Sequence, residues 1–186
     1  VQYDAESTST DAAIGVSESF IFAADAAPVV INATAAIPDG AGDPYTNNAS
    51  VTCTFANFPN VLNDADSWDV NLFQPAIELT KTGDALSKIG DDTDYTITLT
   101  NNSSPDTPDM SCTVTDAAVG VDETVTLASG ASHTINATAA IPDGASDPYV
   151  NTASVSCSVV GFPNALTASD DHSVDLFQPS ITFDKT

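Results

Sequence analysis

The sequence predicts an all-β protein, and three observations carry that expectation. Stretches such as residues 94–100, DYTITLT, alternate apolar and polar side chains with a period of two. Gly, Pro, Asn and Asp break the chain into short runs rich in Val, Ile and Thr, residues that suit strands. No long stretch carries an apolar stripe at helical spacing.

The chain also repeats itself. Residues 31–53, INATAAIPDGAGDPYTNNASVTC, return 104 positions later as residues 135–157, INATAAIPDGASDPYVNTASVSC. The match continues through Phe58-Pro59-Asn60 with Phe162-Pro163-Asn164, and Leu72-Phe73-Gln74-Pro75 with Leu176-Phe177-Gln178-Pro179. About 32 of the 52 positions from 31 to 82 are identical to their partners in 135–186. A period of about one hundred residues is too long for a solenoid and fits an array of small domains. The 186 residues leave room for two.

The complete repeat sets out the elements in order. Residues 76–82 form a first strand with Ile77 and Leu79 on one face. Gly83-Asp84 and Gly90-Asp91 are turn signals around a short edge piece with Leu86 and Ile89. Residues 94–100 follow, with Tyr95, Ile97 and Leu99 inward. A polar loop with two prolines leads to a third strand at 110–115, carrying Cys112 and Val114. Residues 123–127 make a fourth and Ser129-Gly130 a turn. Residues 133–141 make a fifth, with Ile135, Ala137 and Ala139 on one side. After a turn-rich loop ending at Asp147-Pro148, residues 150–160 make a sixth with Ala153, Val155, Cys157 and Val159 inward. Residues 169–176 are the seventh. Seven short strands with frequent turns are the pattern of an immunoglobulin-like β-sandwich.

The first copy is incomplete. Residues 11–16 match 116–121 at an offset of 105, so one residue is inserted before Ile31. Residues 1–75 therefore lack counterparts of 76–82 and 94–100. Residues 76–179 make one complete repeat of about 104 positions. Residues 180–186, SITFDKT, read as the first strand of a following repeat. Two expectations follow for that strand. It is the start of an array continuing beyond the sequence, or it is a donor strand whose Ile181 and Phe183 enter the open first repeat of a second copy. The second contact runs head to tail and makes a filament. Val1-Gln2-Tyr3 could then supply part of the second missing strand. The junction at Leu72–Pro75 has no Gly/Ser linker, which predicts a stiff joint. The sequence has no initiator Met or signal peptide and begins inside a repeat, as expected of a processed chain or part of a longer one.

Charge excludes several partners. Three Lys and no Arg face 26 acidic residues, for a formal charge of −23. Such a surface repels nucleic acid and anionic membranes. It suits a salt- or calcium-rich medium, or serves solubility alone. No apolar run is long enough to span a membrane.

Several residues are candidates for chemistry. Cys112 and Cys157 share inward parity, so the complete repeat can form a disulfide closing about 45 residues. Cys53 copies Cys157, but Ser7 stands where Cys112 would, which leaves Cys53 a buried free thiol or an inter-chain link. Asp64, Asp66 and Asp69 are the candidate calcium ligands, weighed against solvated turn acids. Asp91, Asp92 and Asp94, and Asp170 with Asp171, are further acidic clusters. Lys81 and Lys185 hold the same inward position in two copies. Such a lysine makes a salt bridge to a nearby Asp or, as in some surface fibres, an isopeptide bond to Asn or Asp. Asn32, Asn48, Asn102 and Asn136 head sequons for glycosylation. His133 and His172 stand alone, with His172 expected at the surface because Trp68 replaces it in the other copy. No nucleophile–base order, paired-carboxylate signature or phosphate-binding Gly loop occurs, so an enzyme is not expected and no cofactor beyond calcium is implied.

Residues 77–84 (IELTKTGD), 95–101 (YTITLTN), the Val114-Thr115-Asp116 segment and the IPDG…DPY…NTASV…C run, in this order, resemble the Ig-like "conserved repeat" family of bacterial and archaeal surface proteins. The resemblance covers residues 76–179 and the later part of the first copy. It implies large exported proteins of cell walls, surface layers, stalks or fibres, and carries no catalytic residues. The expected function is a structural subunit of an extracellular filament or cell-surface layer, with copies of itself as partners. The alternative is an adhesin stalk that binds a glycan or surface protein, although the loops hold few aromatics. An accessory module of a secreted hydrolase is a third reading.

Overall fold

The computed structural model describes residues 4–23 and 25–185. All regular structure among these residues is β. The chain divides into two compact units, Val1–Leu72 and Phe73–Thr186.

The first unit holds β1 (Ala5–Asp11), β2 (Val16–Phe22), β3 (Tyr45–Phe55) and β4 (Phe58–Val70). They form one antiparallel sheet in the order β2-β1-β3-β4. Gly15 makes the β1–β2 turn at φ 69°, a left-handed conformation that suits glycine. Register places Phe20, Ser7, Cys53 and Leu62 in one row across the sheet. Ala5, Ser7 and Asp11 on the central strand are buried. On the edge strand β4, however, Leu62 and Trp68 on that same face are 56% and 76% exposed.

The second unit holds β5 (Ile77–Gly83), β6 (Leu86–Ser87), β7 (Asp92–Asn101), β8 (Met110–Asp116), β9 (Val121–Leu127), β10 (Ser132–Ala140), β11 (Tyr149–Val159) and β12 (Ala165–Leu176). Two sheets result, one ordered β10-β7-β5 and the other β6-β12-β11-β8-β9. Both contribute to one core. Leu79, Ile97 and Leu99 come from the smaller sheet, and Met110, Val114 and Val155 from the larger. Each such side chain taken from water contributes about 1.5–3 kcal/mol. A second cluster gathers Tyr95, Ile141, Val174 and Leu176. The strict alternation expected for 94–100 is present, with Tyr95, Ile97 and Leu99 all buried. The final strand begins at Ala165, four residues before the expected 169. Its first residues pair with Thr167↔Ser156 and Leu166↔Cys157, so the long β11 edge templates them despite their weak alternation.

One hexapeptide has two fates. INATAA at 135–140 lies within β10, paired along β7 with Ile135 opposite Ile97. INATAA at 31–36 forms no strand. Propensity is the same at both places. What differs is a neighbouring edge, since β7 has no counterpart in residues 4–72.

Cys112 and Cys157 are disulfide-bonded, directly opposite each other on β8 and β11. The bridge thus joins neighbours within one sheet, unlike the bridge between sheets of antibody domains. The equivalent position of the first unit pairs Ser7 with Cys53, the Ser7 hydroxyl donating to the Cys53 sulfur. Cys53 is a half-buried free thiol. Ser7→Cys should therefore close a second cross-strand disulfide. On oxidation, the thiol titre of the unfolded chain should fall from one to none. The unfolding free energy of the first unit should rise by about 2–4 kcal/mol if the geometry is unstrained. A persistent pair of thiols would show the register to be wrong.

Candidate functional site

The most unusual chemistry lies in the core of the second unit. Lys81 is the third inward residue of β5, after Ile77 and Leu79, and the alternation that buries Leu79 also buries Lys81. A buried ammonium is costly unless paired. Its partner is Asp116, the last residue of β8, and the side chains of both are wholly removed from solvent. Asp116 accepts the Lys81 Nζ hydrogen bond at Oδ2. The same Oδ2 accepts Asn151 Nδ2 from β11 at 3.2 Å. The other oxygen, Oδ1, accepts the backbone N–H of Ala118 at 3.2 Å. The Lys81 backbone N–H donates to Asp170 Oδ2 of β12 at 2.6 Å.

Tyr95 lies beneath this cluster, its ring 4.5 Å from Lys81 Nζ, a cation–π distance. Gly83 sits opposite Tyr95 in the β5–β7 register. A Cβ there would lie 2.6 Å from the Asp94 carbonyl oxygen and 2.9 Å from the Tyr95 ring, so the close approach requires glycine. The Tyr95 hydroxyl is buried without a hydrogen-bond partner. Burial, with the nearby Tyr149, Asp116 and Asp84 adding to it, pushes its pKa up from 10.0 to about 12. His172 is half-buried here and not at the surface as expected. Its ring meets Tyr95 edge-on at 6.1 Å, and its Nε2 lies 3.0 Å from the Asp84 carbonyl. The reason is the pleat: β12 turns His172 to the same face as Val174.

The first unit carries the same motif without its lysine. Asn47 Nδ2 donates to Asp11 Oδ2 at 2.8 Å, and Asp11 Oδ1 accepts the backbone N–H of Ala13 at 3.1 Å. Asp11 is 5% exposed. The Asn47 carbonyl oxygen is buried and has no partner.

Other expected sites are placed as follows. Asp64 and Asp66 share one face of β4, opposite Val51 and Ala49, whereas odd-numbered Asp69 lies on the other face and accepts the Thr46 hydroxyl at 2.6 Å. A strand cannot converge all three on one ion. Among the described residues no group of three or more His, Cys, Asp or Glu is arranged to hold a metal. Asp91 pairs with Lys88, and Asp94 accepts the Thr138 hydroxyl at 2.5 Å. His133 Nε2 lies 2.8 Å from Glu123 Oε1. Asn32, Asn48, Asn102 and Asn136 are all exposed, although Asn102 reaches Glu78 and Asn136 accepts from Thr96. Ile181 and Phe183 are 95% and 87% exposed, in a segment with no strand partner among the described residues. Val1, Gln2, Tyr3 and Thr186 lie outside the described residues. No helix among the described residues is long and apolar enough to cross a membrane.

Parity identified Lys81 and both cysteines from sequence. Asp116 and Asn151 were missed as its partners. The available signal was their recurrence as Asp11 and Asn47, an Asp–Asn pair retained in both copies. No protein-family model matches the chain, and no curated protein matches it.

Two outcomes test the cluster. Lys81→Met strands a buried carboxylate and should destabilise the second unit by about 3–5 kcal/mol in urea unfolding. Tyr95 ionises in the unfolded chain near pH 10 and in the folded one near pH 12. Between those values the unfolded state holds fewer protons, so stability falls as pH rises through the window. Tyr95→Phe should remove that part of the alkaline slope, read by unfolding curves taken from pH 9 to about 12.

Proposed function

We propose that the chain is a structural, non-enzymatic subunit of an extracellular filament or cell-surface layer. Its units are immunoglobulin-like repeats, each sealed by a first strand carrying an inward lysine. In the second unit that strand is β5. For the first unit it comes from outside residues 4–72, either from a second copy by strand complementation or from a neighbouring repeat. The observation that carries this reading is the cluster at Asp11 and Asn47, which has the Asp–Asn pair of the second unit without its lysine and leaves the Asn47 side-chain oxygen buried without a partner.

The fit is residue by residue. Ile181, Phe183 and Lys185 align with Ile77, Leu79 and Lys81. On the first unit, Leu62 and Trp68 remain exposed on the face that the smaller sheet covers in the second. An inserted strand would bury Ile181 and Phe183, bring Lys185 to Asp11, and satisfy backbone groups on both sides. The Cys112–Cys157 disulfide is a bond of oxidising compartments and supports an exported protein. The resemblance to surface-protein repeats points the same way.

Electron microscopy of the purified chain should show long polymers. An excess of the free peptide SITFDKT should stop their growth by occupying the acceptor face. Ile181→Asp combined with Phe183→Asp should leave monomers whose second unit is still folded. Polymers that survive those two changes, or a chain that stays monomeric at all concentrations and is unaffected by the peptide, would sink the strand-exchange reading.

A further inference from the structure

We infer that Lys81 and Asn151 become covalently joined, with Asp116 as the proton carrier, so that the second unit seals itself with an isopeptide bond. Three reactive groups meet in this core. Lys81 supplies an amine, Asn151 a carboxamide, and Asp116 one oxygen that touches both nitrogens. Lys81 is 4% exposed, Asp116 2% and Asn151 4%, so bulk water does not reach the site. Exclusion of water removes the competing hydrolysis and leaves the amine unsolvated.

The chemistry balances. The Lys81 ammonium gives one proton to Asp116 and becomes a neutral amine, the nucleophilic form. Nζ attacks Asn151 Cγ and forms a C–N bond. Asp116 returns its proton to Nδ2, the nitrogen that must leave and the one it already contacts. The Cγ–Nδ2 bond breaks, ammonia leaves, and the second proton of Nζ passes to Asp116. Lysine ammonium, carboxamide and carboxylate become a secondary amide, ammonia and a neutral, protonated Asp116. No oxidant, reductant or further reactant is needed.

The product also resolves a physical conflict. A wholly buried ion pair contributes little net stability, because desolvation offsets most of the attraction. A neutral amide beside a protonated Asp116 carries no such penalty. The bond ties β5 of the smaller sheet to β11 of the larger, across the core. The disulfide ties β8 to β11 within one sheet. Each bridge therefore closes a direction the other leaves free. The first unit has Asp11 and Asn47 but no amine of its own to react, because the chain has no lysine before Lys81.

Mass spectrometry of the intact, reduced wild-type chain decides the matter. The expected result is a mass about 17 Da below that of the sequence, the loss of one ammonia. Fragmentation should show a branched peptide joining Lys81 to Asn151. Lys81→Met and Asn151→Ala should each restore the full mass, and Asp116→Ala should restore it with both reacting residues present. An unshifted wild-type mass overturns the inference. So does the same loss on a linear peptide, which marks a succinimide, or a loss of about 18 Da joining Lys81 to Asp116, a condensation that spares Asn151. The wild-type result stands even if the variants fail to fold.

Discussion

The structure depends on where a lysine is allowed to be. β5 must present alternate side chains to the core, and the third of them is Lys81. Once that ammonium is buried, the surrounding strands are constrained. β8 must end with a carboxylate at the right depth, β11 must bring a carboxamide to the same oxygen, and β12 must accept the Lys81 backbone N–H at Asp170. Apolar packing alone tolerates strands that slide or exchange neighbours, because it has no direction. A desolvated ion pair does not tolerate this, since a shift of one residue would leave two uncompensated charges in the core. The polar cluster thus specifies register, while Leu79, Ile97, Leu99 and their partners supply most of the free energy.

The first unit holds the same Asp–Asn pair with no strand equivalent to β5 among residues 4–72. Its four strands keep the pairing order of their counterparts, and Asp11 keeps its bond to Asn47. The segment 31–36 stays out of any sheet although its twin at 135–140 is a strand. Local sequence is therefore permissive, and the neighbouring edge decides. The segment equivalent to β10 is a strand where the β7 edge is present and is none in residues 4–72, where β3 and β4 form without it.

Much of this was legible in the residues. Residues 94–100 could be assigned because every inward position is large and every outward one polar. The disulfide could be paired because the two cysteines share inward parity within one repeat, whereas their directly opposite register was visible only in the sheet. The start of β12 was not legible, since ALTAS mixes small residues whose burial is set by β11. The acidic cluster at Asp64, Asp66 and Asp69 misled because proximity along a strand is not proximity in space, and β4 sends Asp69 to the opposite face. His172 misled for a related reason: a swap of His for Trp suggested a free surface position, whereas both residues lie on the inward parity of their strands and differ only in what lies over them.

The charge balance takes on a different meaning once the lysines are located. Of three, Lys81 is in the core, and Lys88 is held by Asp91 at the surface. Lys185 stands exposed at the position equivalent to Lys81. A chain with a formal charge of −23 has almost no cation to spare for its exterior. Like-charged copies repel one another at low ionic strength, and this repulsion falls off within about 10 Å at 0.1 M salt. Any contact between copies must then be short-ranged, supplied by backbone pairing and buried apolar side chains, with its one ionic element sheltered from solvent. A strand bearing Ile181, Phe183 and Lys185 has that composition. The lysine that would be least useful on such a surface is the one whose position in the repeat is an interior one.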